Sequence, residues 1–286
     1  MNATVLRAPA KLNLSLEVLN RQTNGLHALR SVMVPVDLCD EISVRPDGRL
    51  TFTCDDPNLT DNNLVVRAWH ELRMPAGAAI DLKKHIPTGA GLGGGSSDAA
   101  ALLLAAQRGA LGDVPAIDYL ATAKKLGSDV PFFLVETAAL VEGTGERITA
   151  LGRAPNWHAV ILKPPDSIST AAAYAALDKR DRTIRPRNAS VSLQLAEALQ
   201  REQFDRVVEL LQNDFLDVHQ TRPGIARALN ILRDAGGKPM LTGSGSAVFA
   251  LTRDANACDT ISEQIAAPSG FRVMRARFWS GESWTR

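Results

Sequence analysis

The sequence predicts an α+β protein of two domains, and three observations carry that reading. The N-terminal stretch alternates polar and apolar residues with the period of a β-strand. A glycine tract, Pro87 to Gly95, opens directly into an alanine- and leucine-rich helix. Near residue 150 the pattern starts afresh with a second series of strands and helices.

Leu12, Leu14 and Leu16 share one strand face, with Lys11, Asn13 and Ser15 on the other. A turn at Asn24-Gly25 leads into a second extended run, Ser31 to Leu38, and Glu41 to Val44 and Leu50 to Cys54 read as further strands. Asn62 to Leu72 is helical, with Asp61 or Asn62 as N-cap, and Ala79 to Ile86 returns to strand. After the glycine tract a helix runs from Ser96 to about Arg108, and another from about Ala116 to Leu126, closed by Gly127. Gly152 to Trp157 is the expected linker. Beyond it come a strand from His158 to Lys163 and a charged loop from Asp178 to Asn188. Helices follow at Val191 to Gln200, Phe204 to Leu211 and Ile225 to Ala235, with strands at Ala247 to Thr252 and Arg272 to Phe278.

Length and composition agree. A chain of 286 residues, 45% hydrophobic and 22% charged, has room for about two domains and buries a core without disulfides. A net charge of +1 gives no overall field for nucleic acid or an anionic membrane. Cys39, Cys54 and Cys258 are widely spaced and read as reduced thiols, not as a zinc site. The N-terminus lacks the apolar core of a signal peptide, and the longest apolar run, Ala99 to Ala106, is far short of a bilayer span of roughly 20 residues. A cytoplasmic, soluble chain is the expectation.

The glycine tract carries the chemistry. Closely spaced glycines let backbone N–H groups converge without Cβ interference, and at a helix N-terminus those donors attract phosphate. The segment Pro87, Thr88, Gly89, Ala90, Gly91, Leu92, Gly93, Gly94, Gly95, Ser96, Ser97 has no lysine after its glycines, so it is not a Walker A loop. Gly89, Gly91 and Gly94 satisfy the spacing of a dinucleotide fingerprint. That fold also needs a second strand ending in an acid about 20 residues on. Asp113 lies near that distance but in a turn between two helices, which weakens the oxidoreductase alternative.

Proline, then glycines, then Gly-Gly-Gly-Ser-Ser-Asp-Ala-Ala resembles the phosphate-binding signature of the GHMP kinases. Four further segments in the same order extend the resemblance over nearly the whole chain: Ala8 to Leu14, Asp61 to Arg67, Gly127 to Phe133 and Leu241 to Phe249. The resemblance implies a GHMP kinase fold with an N-terminal ribosomal protein S5 domain 2-like domain (1–152) and a C-terminal ferredoxin-like domain (153–286). It further implies ATP, arriving as Mg-ATP, no protein-held metal, and a small-molecule alcohol as acceptor. No nucleic-acid or membrane partner is expected, and the chain is a monomer or homodimer. A silent binding protein is disfavoured by retention of the reactive residues.

Residue roles follow from the same resemblance. Asp129 matches the general base, although composition alone favours a turn or capping Asp there. Lys11 matches a lysine beside that carboxylate, where a lone strand lysine is ordinarily solvated. Asn63 and Leu64 match the adenine side. Within the superfamily the chain looks like a branch whose acceptor carries a cytidine diphosphate. On that basis Asn13, His27, Asp129, Thr170 and Tyr174 are substrate-binding, and Gly243, Ser244 and Gly245 close over the diphosphate. One departure stands out: the branch has an aromatic residue before the histidine, and here it is Leu26.

Overall fold

Two long N-terminal strands organise the chain. In this computed structural model, which describes residues 3–23, 25–180 and 187–279, β1 (Thr4–Arg21) and β2 (His27–Asp47) pair antiparallel along almost their whole length. The runs expected as separate strands at Ser31 to Leu38 and Glu41 to Val44 are one continuous strand. Asn24 of the expected turn lies outside the described residues; Gly25 takes φ +81°, which suits glycine.

The first half continues with β3 (Thr51–Cys54), α1 (Leu64–Leu72), β4 (Gly77–Lys83), α2 (Gly94–Gln107), α3 (Tyr119–Leu126), α4 (Val130–Phe133), β5 (Ala138–Gly143) and β6 (Arg147–Gly152). The N-cap of α1 is Asn63, not Asp61 or Asn62; its side chain accepts from the Val65 N–H. α2 begins at Gly94, two residues before the expected start, and its C-cap is Arg108. α3 starts later than expected because Asp118 caps it. Asp113 sits in the loop between α2 and α3, and no strand ends at it as a dinucleotide fold would need.

β2 holds the first sheet together. One edge pairs with β1; the other pairs with β5 through Leu29–Met33 and with β4 through Glu41–Asp47. α2 is buried on every side from Ala99 to Ala106, so it is the central helix between α1, α3 and the sheet.

The second half comprises β7 (His158–Lys163), α5 (Thr170–Asp178), α6 (Val191–Gln200), α7 (Phe204–Leu210), β8 (Gln212–Asn213), α8 (Leu216–His219), α9 (Pro223–Asp234), β9 (Pro239–Leu241), β10 (Val248–Thr252), α10 (Ala255–Gln264) and β11 (Arg272–Arg277). Its sheet runs β11-β7-β10-β9, all antiparallel. With α10 joining β10 to β11, that is the ferredoxin-like order. One face packs on α9 and α10, and the other shares an apolar core with β1, β2 and α6. The short β8 pairs parallel with β1, so the second half also adds a strand to the first sheet.

Several features departed from expectation. Gly152 to Trp157 is not a free linker: Trp157 is buried and meets Phe204 edge-on at 5.1 Å. β5, β6, α5, β9 and α10 did not stand out in the sequence. Of the expected charged loop, Asp178 ends α5, residues 181–186 lie outside the described residues, and Arg187–Ala189 forms a 3-10 turn.

A buried charge cluster sets the base of the glycine loop. Lys84 pairs with Asp40 and, at 2.7 Å, with Asp98 of α2, while Asp40 Oδ1 accepts from the backbone N–H of His85 and Ile86. Burial, opposed by the Lys84 ammonium and aided by Asp40, pushes the Asp98 carboxyl up to about 8. The folded state therefore holds a proton that the unfolded chain releases at its ordinary value of 3.8. Stability from this group is full below that value and is lost as pH rises through about 8. Asp98→Asn should flatten this dependence: thermal melts of the variant should fall less between pH 5 and 8.5 than those of the parent chain. Parallel melting curves would show that Asp98 is ionised throughout.

Candidate active site

β1 carries Lys11 and Asn13 into the middle of the molecule, and the face expected to be solvated is buried. Lys11 is 2% exposed and Asn13 wholly buried. Lys11 Nζ donates to Asn13 Oδ1 and lies 3.8 Å from Asp129 Oδ2. Asn13 is fixed in turn: its Nδ2 donates to Ser31 Oγ at 2.8 Å, and its backbone N–H donates to Thr242 Oγ1 at 3.1 Å. Burial lowers the Lys11 pKa, and the Asp129 carboxylate works against that shift.

Asp129 is the N-cap residue of α4, yet its side chain makes no capping bond. The capping role that composition favours is therefore not what the carboxylate does. It is partly exposed to the cleft and faces Lys11.

The glycine loop arches over this pair. Gly89, Gly91 and Gly93 have φ of +60°, +77° and +75°, so every second residue turns the chain in the sense L side chains resist. The loop delivers the chain to α2 with Gly93 as N-cap. Gly94, Gly95 and Ser96 are its first turn, whose N–H groups lack intrahelical partners. Ser97 is the first to donate back, to Gly93 O. Such an end attracts phosphate through its free donors and its dipole.

A second glycine cluster closes on the first. A Cβ on Gly91 would lie 2.2 Å from the Thr242 carbonyl oxygen, and one on Gly243 would lie 2.7 Å from the Gly91 carbonyl oxygen. The Ala247 N–H donates to the Ala90 carbonyl, and the Lys11 N–H to the Leu92 carbonyl. Backbone meets backbone here with no room for a side chain.

The result is a cleft of about 670 Å³. Lys11, Asn13, His27, Leu64, Pro87 to Ser96, Asp129, Thr170, Tyr174 and Gly243 to Gly245 all line it. Two expected residues do not. Asn63 spends its side chain on Val65 N–H and Leu59 carbonyl as a helix cap. Ser97 is fully buried inside the first turns of α2, with its hydroxyl unpartnered.

At the far end, the His27 and Tyr174 rings are stacked, 5.2 Å apart and 11° from parallel. Phe215 meets Tyr174 edge-on at 4.9 Å. Leu26 lines the rim and is 55% exposed. Nearer the glycine loops, the Thr170 and Ser244 hydroxyls lie 3.1 Å apart.

Sequence reasoning missed several residues of the cleft. Thr144 lines it from the β5–β6 turn, where Glu146 accepts from its N–H and hydroxyl at 2.6 and 2.8 Å. Gly145 of that turn abuts the Ser128 carbonyl, beside Asp129. The Glu142-Gly-Thr-Gly-Glu146 pattern is a hairpin signal that could have found them. Lys84 carries no local signal; only tertiary contact reveals it.

Gly91→Ala isolates the cost of the backbone approach when compared with Gly109→Ala. Gly109 has a similar φ of +73°, but nothing lies within 4 Å of its added Cβ. Both variants incur strain of about 1–3 kcal/mol; Gly91→Ala should lose more in denaturant unfolding and raise the KM for ATP. Equal losses with equal KM would mean the two loops separate freely.

The chain matches the GHMP kinases N terminal domain over residues 63–137 and the GHMP kinases C terminal domain over residues 195–268. It is 40% identical over 257 residues to a 4-diphosphocytidyl-2-C-methyl-D-erythritol kinase of Deinococcus radiodurans, covering 87% of this chain and 84% of that protein. It is 36% identical over 290 residues to the kinase of that name from a Geobacter species, covering 97% and 99%. A crystal structure of 4-(cytidine 5'-diphospho)-2C-methyl-D-erythritol kinase superposes with a TM-score of 0.79 at 32% identity, covering 97% of this chain and all of that one. Homoserine kinase from Cytophaga hutchinsonii shares the fold, with a TM-score of 0.72 at 21% identity over 100% of this chain and 97% of that one. The chain belongs to the GHMP kinases and, within them, to the 4-diphosphocytidyl-2-C-methyl-D-erythritol kinase family.

Proposed function

We propose that this chain transfers the γ-phosphoryl group of ATP to the 2-hydroxyl of 4-diphosphocytidyl-2-C-methyl-D-erythritol. The products are the 2-phosphate and ADP, and the step belongs to the non-mevalonate route to isoprenoid precursors. The observation that carries the reading is the Lys11–Asp129 pair, 3.8 Å apart, in a cleft that also holds a glycine loop and a helix N-terminus. Phosphoryl transfer asks for positioning and charge stabilisation more than covalent chemistry, and both are supplied here.

The free N–H groups of the glycine loop and the first turn of α2 bind the phosphates. Asp129 orients the acceptor hydroxyl and takes its proton as the O–P bond forms. Lys11 offsets the charge that builds during transfer. Asn13 holds Lys11 in place through the bond from Nζ. On the other side, α5 runs from Thr170, bonded to Ser244, to Tyr174 and Asp178. The eight residue steps from Thr170 to Asp178 rise about 12 Å, a length suited to a nucleoside diphosphate. The diphosphate lies by Thr170 and Ser244, and the base by Tyr174 and His27.

Among the described residues no cluster of three His, Cys, Asp or Glu could hold a metal alone. Mg²⁺ would enter with ATP and neutralise phosphate charge, and Ser96 and Asp129, which line the cleft, would offer it oxygen donors. Residues 1–152 form the lobe that binds ATP and residues 153–286 the lobe that closes the acceptor side. We place the enzyme in the cytoplasm as a monomer or homodimer. Leu26 favours a second reading, a related GHMP kinase acting on another alcohol, because a leucine cannot stack on a base as an aromatic ring does.

A coupled assay with ATP and 4-diphosphocytidyl-2-C-methyl-D-erythritol, read by mass spectrometry, should show the phosphorylated product. ATP binding without product would favour the second reading. Asp129→Asn should fold normally and lose about 100-fold or more in kcat; near-native turnover would remove Asp129 from the role of base. Lys11 supplies a pH test. Its charge is lost as pH rises through a pKa lowered by burial. The alkaline limb of kcat should therefore fall below the titration of a free lysine, and Lys11→Met should abolish turnover with little change in stability. An alkaline limb at the free-lysine value would show that Lys11 is not the group titrating.

A further inference from the structure

The turn between β5 and β6 reaches the cleft through Thr144, a residue with no role in the reading above. That turn is firmly built. Glu146 folds back so that one carboxylate oxygen takes both the Thr144 N–H, at 2.6 Å, and the Thr144 hydroxyl, at 2.8 Å. Gly143 makes room for the carboxylate: a Cβ there would lie 2.1 Å from Glu146 Oε1. A Cβ on Gly145 would lie 2.4 Å from the Ser128 carbonyl oxygen, so the turn rests on the residue before Asp129. Thr144 is thereby held on the Asp129 side of the cleft.

What the Thr144 hydroxyl can do follows from its bond to Glu146. Burial raises the Glu146 carboxyl, but hydrogen bonds, that of the Thr144 hydroxyl foremost, outweigh it and leave the group below its ordinary value. The ionised carboxylate can only accept, so the one proton of the Thr144 hydroxyl is spent on it. The lone pairs of that hydroxyl remain, on a side chain that lines the cleft. Such a group cannot donate to a phosphate oxygen, and the carboxylate behind it repels anions. It suits a neutral donor, and an alcohol group is one. In 4-diphosphocytidyl-2-C-methyl-D-erythritol the reacting 2-hydroxyl is flanked by hydroxyls on carbons 1 and 3, while carbon 4 carries the diphosphate.

We propose that Thr144 is a substrate-binding residue for the polyol end of the acceptor. Its hydroxyl, turned by Glu146, accepts a hydrogen bond from an alcohol group next to the reacting one, and so helps to aim the 2-hydroxyl at Asp129. The inference rests on the methylerythritol reading of the acceptor.

The test uses the full chain and three ligands: 4-diphosphocytidyl-2-C-methyl-D-erythritol and its 1-deoxy and 3-deoxy analogues. Calorimetric titration gives the Kd of each, and turnover is followed with the complete acceptor. The parent chain should bind one analogue about tenfold more weakly than the complete acceptor, one hydrogen bond's worth. Thr144→Val, which keeps the shape of the side chain, should weaken the complete acceptor by about the same factor and leave the KM for ATP unchanged. Thr144→Ser should stay near the parent. On the analogue that lacks the partner hydroxyl, parent and Thr144→Val should bind equally. A Thr144→Val penalty of the same size on both analogues would mean that the threonine only shapes the turn. An unchanged Kd for the complete acceptor would mean that it touches nothing there. Either result overturns the proposal while turnover by the parent keeps the function standing. No binding and no turnover of the complete acceptor by the parent chain would remove both.

Discussion

The close approach of two backbones without side chains is the constraint on which the rest of the site depends. Gly91 presses on the Thr242 carbonyl, and Gly243 presses on Gly91, at distances where no Cβ fits. Beneath them the aliphatic stem of Lys11 packs against Gly93, where an added Cβ would lie 3.0 Å from Lys11 Cγ and from the Phe133 ring. With Gly93 against its stem, Lys11 is sealed off from water. Once sealed, its charge needs partners, because an unpaired ammonium in such a place would neutralise. Asn13 and Asp129 are those partners. The geometry of the reacting pair is in this sense a consequence of glycine packing.

Two buried polar clusters hold that packing in register. Behind the glycine loop, Asp40 and Asp98 clamp Lys84, and Asp40 also ties down the strand that enters the loop. On the other side Glu17 of β1 accepts from the Ser190 hydroxyl and from the Ser192 N–H at 3.1 Å, so a carboxylate from the first sheet caps the N-terminus of α6. Arg30 of β2 completes this cluster, 3.9 Å from Glu17 and 3.0 Å from Glu142. Buried ion pairs add little net stability, because desolvation offsets their attraction. Breaking one, however, costs about 3–5 kcal/mol. Such clusters do little to hold the two halves together, which an apolar core already does. The Glu17 cluster, which joins β1 to α6, penalises a misfit of the two halves.

The elements legible in the sequence were those set by local chemistry. α2 combines strong helix formers with a glycine entry, and β7 and α6 kept their expected bounds because periodic apolar residues end at clear punctuation. Lys11 shows where such reading fails. Period-two alternation placed it on the polar face of a strand, but that face is covered by the glycine loops, which are distant in sequence. Asp178 was lost for a different reason. It was read as the first residue of a charged loop, because α5 itself did not stand out. Asn63 and Ser97 sat in the right motifs, yet one caps a helix and the other is buried within one. A motif gives the neighbourhood of a site; side-chain direction depends on where a helix starts.

The base end of the cleft shows how the chain copes with Leu26. An aromatic at that position would add stacking worth on the order of 1–3 kcal/mol, and stacking is tolerant of base identity because every base has a π-face. Losing it weakens affinity more than selectivity. What remains is rigid: Tyr174 is held by His27 across one face and by Phe215 at its edge. Burial, with Asp129 adding to it, pushes the Tyr174 hydroxyl up to about 12, so the ring stays neutral at working pH and acts as a surface, not as an acid. With one broad stacking partner gone, discrimination between bases falls to groups that bond to the base edge, and these must be oriented before the base arrives.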